Sequence, residues 1–490
     1  MRPPREARAA GSAPKDSPGF DLLIIGTGGA GMAAAIRASE LGARAAIVEG
    51  AEVIGGTCVN IGCIPSKNLI EAAQHYHNAR RGFPGIAACE PELAWVEVLR
   101  QKRYIVDNLR QQKYADVLSS YEGITLLRGR AELASAGDDG PVSVRVGGGD
   151  VRAHKVLIAT GARPAMPPIP GVSDVTALDS TTVMDLERLP ASMIVIGGGA
   201  IGLELGQAFQ RFGVRVIVVE ALDRILPGED SDVSKELAAA LVAEGMEIHV
   251  GTRVERVERA AAGVRLTTSK GSLAGTLEAE QLLVATGRSP NTERIGLDAA
   301  GVRTDRLGFV ETDGFMRTSN PRIFAAGDVT GGPGFVYVAA LQGDVAARAA
   351  LAEFSDEEPA AADLATVPRV TFTDPQVAAV GLTEDEARQA GITPEVTSLP
   401  VEYLPRAIVS HRLSGTIKLV AEPGTDRLLG AHIVAPNAGD MISEAVLAIR
   451  FGLTSRDIAS TLHPYLTWGE AMKLAAQTFT KDVAKLSCCA

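Results

Sequence analysis

Two stretches of this chain repeat one pattern: an apolar strand, three glycines spaced GxGxxG, a helix, and a second strand ending on glutamate. The first is DLLIIGTGGAGMAAAIRASELGARAAIVE, with Gly26, Gly28, Gly31 and Glu49. The second is MIVIGGGAIGLELGQAFQRFGVRVIVVE, with Gly197, Gly199, Gly202 and Glu220. In such a βαβ unit the first glycine allows the tight turn, the second lets a pyrophosphate approach the backbone, and the third lets helix pack on strand. The helix N-terminus then faces the phosphates, and the acid about 20 residues on meets the ribose. A tight turn without ligand is the plain alternative for either stretch. Two complete fingerprints predict two dinucleotides.

Each unit closes on a similar strand and turn, VLIATGARP (Val156 to Pro164) and LLVATGRSPN (Leu282 to Asn291). After the second, TSNPRIFAAGDVTGGPGFVYVAALQGDVAARAA reads strand, Gly-Asp turn, helix, as a return to the first domain. From about Val367 the pattern changes to short β-branched segments (RVTFT, TIKLVAE, LLGAHIVA), with helices from Asp440 onward. The expected fold is α/β: two Rossmann-like dinucleotide-binding domains plus a C-terminal α+β domain. The expected segments are a disordered tail 1–19, a first domain 20–165 resumed at 290–365, a second domain 166–289, and a third 366–490. A length of 490 residues suits about three domains.

The net charge of −11, with no long Lys/Arg cluster, argues against nucleic acid or an anionic membrane as partner. No apolar run reaches the roughly 20 residues of a membrane span. The opening MRPPREARAAGSAPKDSPG has no apolar h-region, so it does not read as a secretory signal, and a cytoplasmic protein is expected. Five cysteines in the whole chain exclude a disulfide-stapled secreted fold.

Those cysteines are grouped. GGTCVNIGCIPSK sets Cys58 and Cys63 five positions apart at the expected start of a helix. The spacing alone allows a structural thiol pair, a metal site or a redox couple. Helix N-terminal amides and the nearby Lys67 favour thiolate, and a dithiol beside a bound dinucleotide points to electron transfer. Cys488 and Cys489 stand one residue from the end, in KDVAKLSCCA. Adjacent cysteines do not easily close an unstrained disulfide, whereas two thiolates on a tail suit a soft ion that is caught and passed on. A frayed end is the bland alternative there. Cys89 reads as a bystander.

The chain resembles the flavoprotein disulfide reductases from about Asp21 to its C-terminus, through GGTCVNIGCIPSK, both fingerprints and AAGD in family order. The resemblance implies FAD on the first fingerprint, a nicotinamide cofactor on the second with Arg288 among its residues, and a C-terminal domain that builds a homodimer. It implies Cys63 stacked on the flavin and Cys58 facing substrate. Lys67 would sit near flavin N5, paired with Glu204 of GLELG, and Asp328 would hold the ribityl chain. Gly50, Thr57, Ala131 and Val336 map onto further FAD-lining positions. A solvated lysine and a helix-face carboxylate remain the plain readings of Lys67 and Glu204.

Members that reduce disulfides carry His-Pro-Thr-x-x-Glu near the C-terminus, the His serving as acid and base. Here the stretch is HPYLTWGE, which puts Tyr465 in the place of that His and His463 two positions early. With the terminal Cys-Cys, PGFVYVAA around Phe335, and Tyr114 of QQKYADV, this is similar to the mercuric reductase branch. Many members of that branch also carry an amino-terminal metal-binding domain, and here a short tail is expected instead. The implied reaction is reduction of Hg(II), arriving as a dithiolate, to Hg(0), with active sites shared across the dimer. Cys488 and Cys489 would deliver the metal to Cys58 and Cys63, and Tyr114 and Tyr465 would line the pocket. A large thioredoxin reductase is the enzymatic alternative, and a metal-sequestering flavoprotein without turnover the alternative of another class. Glu220 favours NADH over NADPH, because a carboxylate repels a 2′-phosphate. Arg224 is the residue that could rescue NADPH, and Ala200 stands where several relatives carry an aromatic gate. His432 and His463 read as structural.

Overall fold

The computed structural model describes residues 19–134, 140–269, 274–482 and 485. The tail expected over 1–19, apart from Gly19, and the Cys488 and Cys489 pair lie outside the described residues. The chain forms two compact units. The first runs to Gly56 and resumes over Gln112–Ala162 and Pro290–Ala362; the second comprises Thr57–Gln111, Arg163–Ser289 and the chain from Asp363.

In the first unit Phe20–Ile25 is a central strand. It is parallel to Ala45–Glu49 on one side and to Gly149–Ile158 on the other. Ile124–Arg128 extends the sheet beyond Ala45–Glu49. Ile323–Ala325 pairs in parallel with Gly149–Ile158, so the chain comes back to this sheet after its second fingerprint. Leu22 and Ile24 enter a core with Ile47, Leu157 and Phe324, while Leu23 and Ile25 enter another with Val48, Val144 and Val156. A parallel strand covered on both faces needs apolar side chains at every position, which is why DLLII shows no alternation. The helix Gly29–Glu40 packs on Val336–Ala350 so closely that a Cβ on Gly343 would lie 2.1 Å from the Ala30 carbonyl oxygen.

The second unit holds a parallel sheet in the order Glu247–His249, Arg215–Val219, Ser192–Ile196, Gln281–Val284. It also holds a three-stranded antiparallel sheet and a five-stranded antiparallel sheet that begins at Arg369–Thr371. Residues Thr57–Gln111, grouped by the sequence with the first dinucleotide domain, pack within this unit. Leu69, Ala73, Trp95 and Leu99 share a core with Leu203, Phe209 and Phe212. That packing seats the cysteine-bearing helix Cys63–Arg81 on the fingerprint helix Ala200–Arg211.

The five-stranded sheet packs Ala431, Ile433 and Ala435 against Met441, Ile442, Met472 and Ala475 of the helices Ala438–Arg450 and Glu470–Gln477. Lys418 and His432 sit opposite each other on neighbouring strands, and both are buried. Lys418 Nζ meets three carboxylates, Asp230 at 2.9 Å, Asp232 at 2.8 Å and Glu384 at 2.8 Å. Burial alone would lower its pKa, but the three acids outweigh burial and raise it. His432 lies 2.9 Å through Nε2 from the Leu382 carbonyl oxygen, and burial lowers its pKa.

The His432 shift has a sign. Below its ordinary pKa of 6.5 the unfolded chain binds a proton that the folded chain resists, so stability falls with pH from there downward. Urea midpoints measured from pH 7 to 5 should decline more steeply in the native protein than in His432→Gln. Equal slopes would show that His432 does not set the acid limit.

Candidate active site

Cys58 lies in the short helix Gly56–Ile61 and Cys63 is the first residue of the 19-residue helix Cys63–Arg81. Gly62 stands between the two helices, where a Cβ would come 2.9 Å from the Thr57 carbonyl oxygen; the close turn brings the two thiols together. Both are free thiols, Cys58 half-buried and Cys63 exposed. They share a hydrogen bond that separates their acidities. The Cys58 thiol donates to Cys63, and this, helped by Lys67 and the backbone and opposed by burial, lowers the Cys63 pKa to about 6. Cys58 is pushed up by the same bond, by burial, and by the charge of Cys63. One thiolate and one thiol therefore coexist at neutral pH, which is the state that attacks a soft metal or a disulfide.

Lys67, one turn along from Cys63, donates to Glu204 Oε2 at 2.7 Å. Glu204 is 6% exposed and also accepts the Phe372 backbone N–H on Oε1 at 2.8 Å. The Lys67 ammonium lies 4.6 Å from the centre of the Phe372 ring. A cation held between a carboxylate and an aromatic face is fixed in position. The Lys67–Glu204 pairing expected from the resemblance is present. Phe372 is not visible in the sequence, where RVTFT reads only as a strand. The neighbouring Gln207 exchanges a reciprocal pair of bonds with the Asp374 backbone, each at 2.8 Å.

Both fingerprints form cradles. Gly26 has φ +114°, and a Cβ there would lie 2.3 Å from the Ala159 carbonyl oxygen; Gly197 has φ +111°, with the Ala285 oxygen at 2.4 Å. A Cβ on Gly31 would meet the Gly26 carbonyl oxygen at 1.9 Å, and one on Gly202 the Gly197 oxygen at 2.3 Å. The middle glycines differ. Gly199 faces open space and Gly28 meets only the Gly56 Cα, at 3.8 Å. Room lies where a pyrophosphate must approach and is absent elsewhere, so both cradles fit a dinucleotide. Glu49 accepts the Ala51 N–H at 2.7 Å and the Thr27 hydroxyl, while Glu220 accepts the Leu222 and Gly198 N–H groups at 2.8 and 2.7 Å. Each strand-end acid is thus held by the N–H two residues on and by one further donor, a hydroxyl for Glu49 and an amide for Glu220. Thr27, which also accepts the Gly55 N–H at 2.9 Å, carries no mark in the sequence beyond a variable fingerprint position.

The remaining predicted residues fall as follows. In the first unit, Val336 begins its helix with its side chain 3.1 Å from where a Gly29 Cβ would stand, Asp328 opens a short turn (Asp328–Thr330), Ala131 is buried, and Gly50 lies just after Glu49. Tyr114 sits in a π-helical turn, Gln111–Ala115, half-buried against the first unit's core. In the second unit, Thr57 precedes Cys58, and Arg288 starts the strand Arg288–Pro290. Arg224 donates to the Pro227 carbonyl oxygen at 3.2 Å and lies 3.5 Å from Asp223. Tyr465 is 51% exposed, on the loop before the helix Glu470–Gln477. Among the described residues no three His, Cys, Asp or Glu side chains cluster to hold a metal ion, and no helix is long and apolar enough to cross a membrane.

Iodoacetamide alkylation of the reduced protein, followed as rate against pH, should report Cys63 titrating at about 6, and Lys67→Met should move the midpoint upward. A midpoint at the ordinary thiol value of 9.0 would contradict the assigned geometry.

The family description "Pyridine nucleotide-disulphide oxidoreductase" matches residues 20–343, and its dimerisation domain matches residues 367–476. A mercuric reductase of Staphylococcus aureus is 43% identical over 96% of this chain and 84% of its own length. One from Streptomyces lividans is 44% identical over 96% of this chain and 98% of its own. Among solved structures, the HOCl-induced flavoprotein disulfide reductase RclA from Escherichia coli superposes with a TM-score of 0.83 at 30% identity, covering 94% of this chain and all of that one. With two dinucleotide cradles, a paired thiol and thiolate, and these relatives, the chain belongs to the mercuric reductase family of pyridine nucleotide-disulphide oxidoreductases.

Proposed function

We propose that the protein reduces Hg(II) to Hg(0): Hg(II) + NAD(P)H → Hg(0) + NAD(P)⁺ + H⁺. The observation that carries this reading is the Cys58 thiol and Cys63 thiolate at a helix N-terminus, beside the Lys67–Glu204 pair, in a chain so similar to mercuric reductases. FAD, when bound, passes the nicotinamide's electron pair toward the metal. Gly26, Gly28 and Gly31 would hold it with Glu49, Gly50, Thr57, Ala131, Asp328 and Val336; Gly197, Gly199, Gly202, Glu220 and Arg288 would hold the nicotinamide cofactor.

Hg(II) reaches the site as a dithiolate, Hg(SR)₂. The substrate-facing Cys58 sulfur displaces one ligand, and its proton leaves with that ligand as RSH. The Cys63 thiolate displaces the other as RS⁻. The metal is then bridged by Cys58 and Cys63. Ligand exchange among thiolates needs no strong acid or base, consistent with Tyr465 where disulfide reductases place a histidine. Tyr465 and Tyr114 line the metal's path, and Cys488 and Cys489 of the partner subunit hand the metal in, so that the homodimer shares its sites. The family's dimerisation domain and the terminal Cys-Cys support this arrangement.

NADH is the preferred reductant on the strength of Glu220, whose carboxylate stands at the second strand's end, while Arg224 is engaged by Pro227 and Asp223.

Two measurements test these readings. Elemental mercury release from Hg(II)-dithiolate and NADH should be present in the native protein and abolished in Cys58→Ala and Cys63→Ala; turnover of oxidised thioredoxin instead would favour the disulfide reductase reading. The ratio of kcat/KM for NADH over NADPH should exceed about tenfold, as a like charge against the 2′-phosphate demands, and should collapse in Glu220→Ala.

A further inference from the structure

The loop that carries Tyr465 is pinned at both ends. At its start, His463 Nε2 lies 2.8 Å from Glu444 Oε1 and Nδ1 lies 3.0 Å from the Thr461 carbonyl oxygen. A carbonyl and a carboxylate can only accept, so the ring donates to one of them, and to both when protonated. Its side chain is 7% exposed, and Glu444 belongs to the helix Ala438–Arg450 rather than to the loop. At its end, Glu470 accepts the Leu466 N–H at 3.1 Å, and the Thr467 hydroxyl donates to the Pro464 carbonyl oxygen at 2.8 Å.

Between the pins, Leu466 has φ +61°. A leucine in the left-handed region costs on the order of 1–3 kcal/mol and persists only where its surroundings hold it. Tyr465 precedes it, half-exposed, and Leu462 on the other side of His463 is 93% exposed. The restraints thus converge on the backbone that presents the phenol.

We propose that His463 is a positioning residue which, tied to Glu444, holds the strained loop so that Tyr465 is presented to the metal. The inference rests on the reading of Tyr465 as a substrate-site residue. His463 touches no substrate; it acts by fixing where its neighbour's hydroxyl stands. A histidine two places early in the motif is therefore a displaced clamp in place of the absent acid and base.

A double-mutant cycle tests the clamp. Steady-state reduction of Hg(II) presented as its cysteine dithiolate is measured for the native protein, His463→Phe, Glu444→Leu, Glu444→Gln, Tyr465→Phe, and for His463→Phe and Glu444→Leu each combined with Tyr465→Phe. His463→Phe and Glu444→Leu should each lower kcat/KM for Hg(II) by roughly tenfold to a hundredfold, the scale of a small misplacement, with KM for NADH unmoved. Glu444→Gln keeps an acceptor for the ring and should restore most of the loss. In the Tyr465→Phe background neither clamp variant should add a further loss, because the clamp acts through the phenol. A full additional loss in that background, or a Glu444→Gln defect as deep as that of Glu444→Leu, overturns the proposal. Should His463→Phe fail to fold, the Glu444 variants complete the cycle. A native protein without Hg(II) reduction would instead defeat the function itself, and would do so before any variant is compared.

Discussion

One buried carboxylate organises the thiol site. Glu204 comes from the helix that follows the second glycine turn, and it receives the ammonium of the cysteine helix on one oxygen and the amide of the C-terminal strand segment on the other. Three stretches far apart in the chain are thereby fixed at one point. Removing either donor would leave part of a nearly unexposed anion without compensation, which is the costly half of a buried ion pair. The Cys63 thiolate depends on this arrangement at one remove, since Lys67 helps to hold its pKa down and is itself located by Glu204 and the Phe372 ring. Gln207, three residues further along the same helix, repeats the tie through Asp374 and keeps the strand segment from shifting.

The two dinucleotide cradles show how little a phosphate site needs from side chains. In both, the first and third glycines are enforced by backbone oxygens that a Cβ would strike, whereas the middle glycine faces room. They differ in what steadies the strand-end acid. Glu49 uses the Thr27 hydroxyl, and Glu220 uses the Gly198 amide. The same turn is therefore built once with a side chain and once with backbone alone.

Much of this was legible in the sequence because it is local. A glycine pattern between an apolar strand and a helix is written within about thirty residues, as is a CxxxxC before a helix, and both correspond to what the structure builds. The Lys67–Glu204 pair was accessible through family resemblance alone, since nothing in either segment names its partner. Phe372, Thr27 and the His463–Glu444 contact were not legible. Each depends on two elements meeting through the packing of other residues, and their types are ordinary for a strand, a turn and a helix. The packing of Thr57–Gln111 within the second unit was hidden for the same reason: Leu69, Trp95 and Leu99 are apolar in any reading, and only the core shows which helix they cover. His463 reads as structural in the sequence, and its little-exposed ring, which stands two residues before Tyr465 and is held by Glu444, agrees with that reading.

Lys418 bears on how the C-terminal sheet comes to exist at all. Its strand, Thr416–Ala421, is buried at every position, and in its middle stands an ammonium whose counter-charges arrive from the helix Ser231–Ala243 and its cap, and from Glu384. Assembled alone, that sheet would enclose a cation facing one carboxylate instead of three. Its stability is thus borrowed from a helix made almost two hundred residues earlier in synthesis. A segment that matches a dimerisation domain thus keeps its one buried ammonium fully compensated only with help from the region of the second glycine fingerprint, so damage to that helix would be felt in the sheet as an under-paired buried cation.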